Sequence, residues 1–111
     1  MNTNRQHFPI TLDTTKLPVG YKLEIETQNN LYLLEKQDGN TFLVSGTNER
    51  FPCPISVKVI GSTWGGSAIK LNTIGIGMHI EMTHPDPSKH RFLTSEVQRI
   101  KVIGPNFEYE L

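Results

Sequence analysis

Apolar and polar residues alternate along most of the chain after its first twenty positions. In the clearest case, the apolar residues Tyr21, Leu23 and Ile25 are separated by the charged residues Lys22 and Glu24. A repeat of two places successive side chains on opposite faces, so this stretch predicts a half-buried β-strand that ends near residue 27. The same argument, with Asn- and Gly-containing turns between the segments, predicts further strands at 31–36, 41–45, 55–60, 68–71, 76–82 and 97–103, and weaker extended segments at 91–94 and 107–111.

These short strands define the expected architecture. Their spacing and their frequent turns predict an all-β fold, a small antiparallel β-barrel or sandwich of about seven short strands. We expect a polar N-terminal arm over residues 1–19, which contains Pro9 and Pro18, and a single β domain over residues 20–111. The residues predicted to form the core are Leu23, Ile25, Val57, Val59, Ile69, Leu71, Met78, Ile80, Ile100 and Val102.

Composition narrows the class of protein. A chain of 111 residues suits one domain, and its 11 basic residues are balanced by 11 acidic ones, which argues against a nucleic-acid binder. Cys53 is the only cysteine, so an intrachain disulfide and a paired-thiolate zinc site are excluded. The first residues lack the apolar stretch of a secretory signal, and no run approaches the roughly 20 apolar residues of a membrane span. We therefore expect a cytoplasmic protein without a membrane partner.

Histidines concentrate near the predicted sixth strand and the loop that follows it. His79 and Glu81 are two residues apart and share a strand face, and His84 and His90 follow in the loop. Imidazole and carboxylate are common metal ligands, so these four residues form the best candidate metal site in the sequence. However, the apolar residues that alternate with His79 and Glu81 must face the core, which places this pair in water. An ordinary polar surface is the favoured interpretation, and a metal-binding protein or enzyme is the alternative.

The loop at residues 61–66 is rich in glycine and contains Trp64, the only tryptophan. No Gly-Lys-Ser/Thr follows, so it is not a phosphate-binding P-loop. An exposed Trp64 would be the strongest anchor for a partner or ligand, because tryptophan contributes much contact energy. The favoured interpretation is that Trp64 folds inward and closes one end of a barrel.

Ser62 and Gly65 form a Ser-x-x-Gly pattern that resembles the second motif of PilZ domains, which are β-barrels that bind cyclic di-GMP. The resemblance implies a barrel-like regulatory domain. PilZ domains also use an Arg-x-x-x-Arg motif, whereas here Arg50 is followed four residues later by Pro54. Ile60 stands two residues before the serine, where the family has Asp or Asn. The implied function is a degenerate PilZ-like domain that lacks the charged residues that hold the nucleotide.

A short basic cluster is the last candidate. Lys89 and Arg91 end the loop, and Arg99 and Lys101 share a face of the next predicted strand. Together they suggest a positive patch for an anion or an acidic partner. The competing interpretation is a solvated face whose cations are neutralised by Glu96, Glu108 and Glu110.

No nucleophile elbow or pair of carboxylates in apolar surroundings supports catalysis. The leading hypothesis is a non-enzymatic small β-barrel module without a cofactor that binds a protein partner or a small ligand, and homo-oligomerisation stays open. The loops at 61–66 and 83–90 flank neighbouring predicted strands, so we expect them to lie close together. The predicted site combines Trp64 with the cations Lys89, Arg91 and Arg99 and would suit a flat or anionic ligand.

Overall fold

The computed structural model of the chain describes residues 10–47, 51, 53–65, 68–86, 88 and 91–111. Within these ranges the backbone is almost entirely extended, apart from turns and one 3-10 turn at Thr14–Lys16. The strands are β1 (Thr11–Asp13), β2 (Lys22–Thr27), β3 (Leu31–Asp38), β4 (Thr41–Gly46), β5 (Ile55–Thr63), β6 (Lys70–Leu71), β7 (Thr73–Gly75), β8 (His79–Thr83), β9 (Arg91–Leu93), β10 (Val97–Ile103) and β11 (Glu108–Glu110).

The predicted all-β antiparallel class is confirmed. The main sheet has the order β11-β10-β2-β3-β4-β5-β8-β9, with β6 added beside β5, and β1 pairs separately with β7. All of these pairings are antiparallel. The sheet remains open between β11 and β9, so it is not closed into the barrel that was one of the two predicted architectures.

The open sheet nevertheless folds back on itself. Tyr32 lies on β3 and Phe92 on β9, four strands away in the sheet, yet their ring centroids are 6.2 Å apart. The buried Phe51 ring contacts both of them, at 6.1 Å from Tyr32 and 5.4 Å from Phe92. These three edge-to-face contacts join the two halves of the sheet across one core, as in a sandwich.

The predicted core is largely observed, with two exceptions at and just before the short β6 strand. Eight of the ten predicted core residues are buried, but Leu71 is 63% exposed and Ile69 is only half-buried. The reason is that β6 has two residues and runs along the edge of β5, whereas the next strand, β7, takes the buried position with Ile74.

Strand β5 is the longest strand and requires a glycine near its centre. Its first half pairs with β4 and its second half with β6, while β8 pairs along the other edge. At Gly61 the β6 backbone approaches so closely that a Cβ atom would stand 2.2 Å from the Lys70 carbonyl oxygen. Only glycine permits this close approach of the two backbones. Strand β5 continues from there to Thr63.

Residues 10–19 pack onto the domain through β1 and the 3-10 turn. Thr14 and Leu17 are buried, and the buried Lys36 amine on β3 donates a hydrogen bond to the Thr14 carbonyl oxygen. The same amine lies 5.5 Å from the centroid of the Phe42 ring. Burial of the ammonium group lowers the pKa of Lys36 below its usual value.

Candidate functional site

Trp64 lies on the surface, directly after the last residue of β5. Its side chain is 62% exposed, so the interpretation that it folds inward is wrong. The chain turns sharply here, because Gly65 has a φ of +109° and its N–H donates to the Thr63 hydroxyl oxygen at 3.2 Å. The turn leaves the indole ring at the end of the strand, in water.

The indole ring of Trp64 packs against backbone on one of its sides. A Cβ atom built on Gly77 would stand 3.2 Å from Cζ3 of Trp64, so the indole lies against the bare backbone of this glycine. Gly77 also has a φ of +88°, a conformation that other residues rarely adopt. The same point lies 3.8 Å from Oε2 of Glu96, so the indole and this carboxylate both border Gly77. We call Trp64, Gly77, Glu96 and Gln28 the Trp64 corner.

Backbone hydrogen bonds hold the two sides of this corner together. The Gly77 N–H donates to the Val97 carbonyl oxygen, and the Val97 N–H donates to the Met78 carbonyl oxygen, both at 2.8 Å. The buried Thr94 side chain accepts from the Ile80 N–H at 2.9 Å. These bonds fix the start of β10 against the start of β8, and they determine where Glu96 stands relative to Trp64.

Glu96 is oriented by Gln28, which follows β2. The Gln28 N–H donates to the Glu96 carbonyl oxygen at 3.0 Å, and its amide Nε2 donates to Oε1 of the Glu96 carboxylate at 3.3 Å. Within the part of the chain that the structure describes, no basic side chain forms an ion pair with Glu96. The corner therefore combines an exposed indole with a carboxylate whose charge these residues leave unpaired.

The cations on β10 lie outside this corner and are paired with carboxylates. Arg99 contacts Glu110 at 2.8 Å and Glu26 at 3.3 Å, and Lys101 contacts Glu108 at 3.5 Å. The hydrogen bonds and charge of Glu110 raise the pKa of Arg99, and Arg99 in turn lowers the pKa of the Glu110 carboxyl. Arg99 stands directly opposite Glu26 in the strand register, whereas its contact with Glu110 and the contact of Lys101 with Glu108 are diagonal pairs across β10 and β11.

Three of the four predicted metal ligands have other partners. His79 donates from Nδ1 to the Thr94 carbonyl oxygen at 2.9 Å. Glu81 forms an ion pair with Arg91 at 3.2 Å, with the Arg91 side chain 74% exposed. Nδ1 of His84 accepts from the Asp86 N–H at 3.0 Å. Among the described residues, which do not include His90, no three potential ligands come together to hold a metal ion.

The two loops expected to lie together are at opposite ends of β8. Thr63, next to Trp64, pairs with His79 at the start of this strand, whereas Arg91 pairs with Thr83 at its end. A strand rises about 3.3 Å per residue, so roughly 13 Å separates the two ends. Lys89 lies outside the described residues. The structure therefore separates Trp64 from Arg91, and Arg99 is engaged elsewhere.

Two shallow surface grooves lie away from the Trp64 corner. One, of about 320 Å³, runs between β5 and the turn at His84 and Pro85. The other, of about 300 Å³, lies between Tyr21 and the segment at 103–105. Near the second groove, the Phe107 ring packs edge-on against Tyr21, with centroids 5.7 Å apart.

Ser62 of the PilZ-like pattern has a structural contact. Its hydroxyl is buried and donates to the Thr73 carbonyl oxygen at 2.7 Å, which joins β5 to β7. Arg50 lies outside the described residues. Cys53 is exposed.

Comparisons with known proteins give no relative: no family model, curated protein or solved structure matches the chain. In the described ranges, no helix has the length and apolar character needed to cross a membrane.

Sequence reasoning found Trp64 but missed its neighbours. The sequence indicates Glu96 only as a charge that neutralises the basic cluster, and it gives no reason to single out Gln28. Gln28 and Glu96 are 68 residues apart, and Trp64 is distant in sequence from both. No local sequence pattern predicts that these residues are close in space, because their proximity depends on how β2, β8 and β10 meet.

Proposed function

We propose that this chain is a non-enzymatic binding module that engages a protein partner through the Trp64 corner. The observation that carries the proposal is the exposure of Trp64, at 62%, on a supported and hydrogen-bonded surface. Tryptophan is among the residues that contribute most to binding free energy at protein interfaces. Tryptophan has a large aromatic surface and an N–H donor, which suits a contact with a partner that covers the ring.

The arrangement of the corner supports this proposal. Its backbone is fixed by hydrogen bonds between β2, β8 and β10, so few rotations have to be restricted when a partner binds. The Gln28–Glu96 hydrogen bond adds a polar rim beside the indole ring. Protein interfaces commonly have aromatic residues at their buried centre and polar residues around it.

Site-specific photo-crosslinking tests the proposal in an extract of the source cells. A photoreactive amino acid replaces Asn29, which is exposed and lies beside the corner, while Trp64 stays intact. We expect a discrete adduct that excess unlabelled wild-type chain competes away and that Trp64→Ala abolishes. The matched control carries the same photoreactive group at Lys58, which is exposed on β5 roughly 20 Å before Trp64 and should give no such adduct. An adduct at Asn29 that persists in Trp64→Ala, or equal adducts from both positions, would contradict the proposal.

A further inference from the structure

The charge of the Trp64 corner indicates what kind of group it binds. Glu96 and the indole both border Gly77, and the Gln28 amide donates a hydrogen bond to Oε1 of Glu96. Its second oxygen, Oε2, lies within 4 Å of the same point as the Trp64 ring. A carboxylate beside an exposed indole repels anions and attracts cations, which reverses the expectation of an anionic ligand.

We propose that the corner binds an arginine side chain of a protein partner, with the guanidinium group stacked on Trp64 and hydrogen-bonded to Glu96. This inference rests on the proposed function and names its ligand chemistry. A planar guanidinium stacks on aromatic faces and donates several hydrogen bonds in one plane. Trp64 offers the aromatic surface, and Glu96 offers an acceptor with negative charge beside it.

The surroundings of Glu96 support a cation from outside the chain. Four carboxylates of the sheet, at Glu26, Glu81, Glu108 and Glu110, form ion pairs with Arg91, Arg99 or Lys101, whereas Glu24 and Glu35 form none among the described residues. Among the described residues, Glu96 has Gln28 as its polar side-chain partner and no such ion pair. A neutral amide orients the carboxylate without cancelling its charge, so the charge stays available for a partner.

Gly77 contributes by keeping the ring and the carboxylate close. A Cβ atom at this position would stand 3.2 Å from Cζ3 of Trp64 and 3.8 Å from Oε2 of Glu96 and would occupy space that borders both side chains. Cation–π contacts require the cation within about 6 Å of the ring centroid. The glycine thus allows one guanidinium group to reach both Trp64 and Glu96.

Tryptophan fluorescence tests this inference directly, because Trp64 is the only tryptophan in the chain. The probes are blocked Gly-Arg-Gly, the same peptide with citrulline, and methyl glucoside as a neutral ring-stacking ligand. Citrulline keeps the shape of arginine but carries no charge. We expect the arginine peptide to associate about fivefold more tightly than the citrulline peptide, and added salt to reduce this preference.

Two variants separate the role of Glu96 from unspecific attraction. Glu96→Gln should reduce the preference for arginine to near unity, whereas Glu35→Gln, on the outward face of β3, should keep it. Thermal unfolding of both variants checks that they fold. If Glu96→Gln does not fold, the arginine–citrulline ratio and its salt dependence in the wild-type chain decide the question.

Three outcomes would overturn the inference: equal binding of the arginine and citrulline peptides, stronger binding of methyl glucoside, or an arginine preference that survives Glu96→Gln. The results that would contradict the proposed function are different from these. A Trp64-dependent adduct from position 29 without an arginine preference would preserve the binding module and remove the arginine ligand. An arginine preference without that adduct would show a cation site but contradict the protein partner.

Discussion

Two charged surfaces of this molecule differ in how their charges are used. On the outward face of β10, which we call the Arg99 face, Arg99 contacts Glu26 and Glu110, and Lys101 contacts Glu108. At the Trp64 corner, Glu96 is held by a neutral amide and lies beside an exposed indole. The cations of the Arg99 face form ion pairs with carboxylates of the same chain. The Trp64 corner instead has an exposed aromatic surface and a carboxylate that are available to a partner.

The difference comes from cross-strand neighbours and not from residue type. Both surfaces contain ionisable side chains on or next to β10. In the Arg99 face, the register places opposite charges directly across from one another. Glu96 precedes β10 and has the end of β2 as its neighbour, where the chain supplies Gln28. A charge is thus available to a ligand only where the register does not provide a counter-charge.

The largest expected effect comes from the core on which both surfaces depend. Val59 is fully buried on β5, the strand that carries Trp64 at its end. Val59→Asp would bury an unpaired charge and should cost several kcal/mol or unfold the domain, as measured by urea denaturation. Lys58→Asp, at the exposed neighbouring position, is the control and should remain folded. A Val59→Asp protein with wild-type stability would contradict the observed core.

A smaller effect is expected at Gly77, which supports the indole. Gly77→Ala combines a positive φ with a clash against Trp64, and positive φ alone costs about 1–3 kcal/mol. Gly65→Ala is the matched control, because Gly65 also has a positive φ, but a Cβ atom there would meet none of the described residues within 4 Å. Denaturation should show that Gly77→Ala is the more destabilising variant and that its tryptophan emission changes.

The Trp64→Ala background isolates the contact with the ring. Removal of the indole removes the clash, so the difference between Gly77→Ala and Gly65→Ala should become smaller in that background. A difference of unchanged size would mean that the indole does not lie against Gly77.

The smallest effect concerns the Arg99 face. Arg99→Ala removes the hydrogen bond and the charge that lower the pKa of Glu110, so that pKa should rise toward its usual value of 4.5. The lowered pKa stabilises the fold above pH 4.5, and this stabilisation is lost as the pH falls through the folded-state pKa. The difference in stability between wild type and Arg99→Ala should therefore shrink with acidification. High salt should reduce it at neutral pH.

NMR titration of the Glu110 carboxyl measures this prediction. Arg91→Ala serves as the control, because Arg91 pairs with Glu81 and should leave the Glu110 titration unchanged. An unchanged Glu110 titration in Arg99→Ala would show that the ion pairs of this face do not form in solution.

Much of the fold is predictable from the alternation of apolar and polar residues. Long strands such as β2 and β3 bury one face, so buried side chains recur at every second residue and identify both the strand and its inner face. The two-residue β6 is too short for such a repeat, and the assignment of Leu71 to the core was wrong for that reason. The closure of the sheet was also unpredictable, because it depends on how far the sheet folds back.

The candidate site is less predictable than the fold. Trp64 is conspicuous in a glycine-rich loop, but whether it faces water depends on the turn at Gly65. Its neighbours Gly77 and Glu96 come from the starts of β8 and β10, and the sequence contains no signal for that meeting. The predicted partnership of Trp64 with Arg91 failed because the two loops follow opposite ends of β8.

The central claim is that Trp64 is exposed and available for binding, and acrylamide quenching of its fluorescence tests it most directly. The single tryptophan makes the signal specific to this position. We predict red-shifted emission and ready quenching in the folded chain, nearly as in the unfolded chain. Blue-shifted emission that is protected from acrylamide would place the indole in the core and contradict the account.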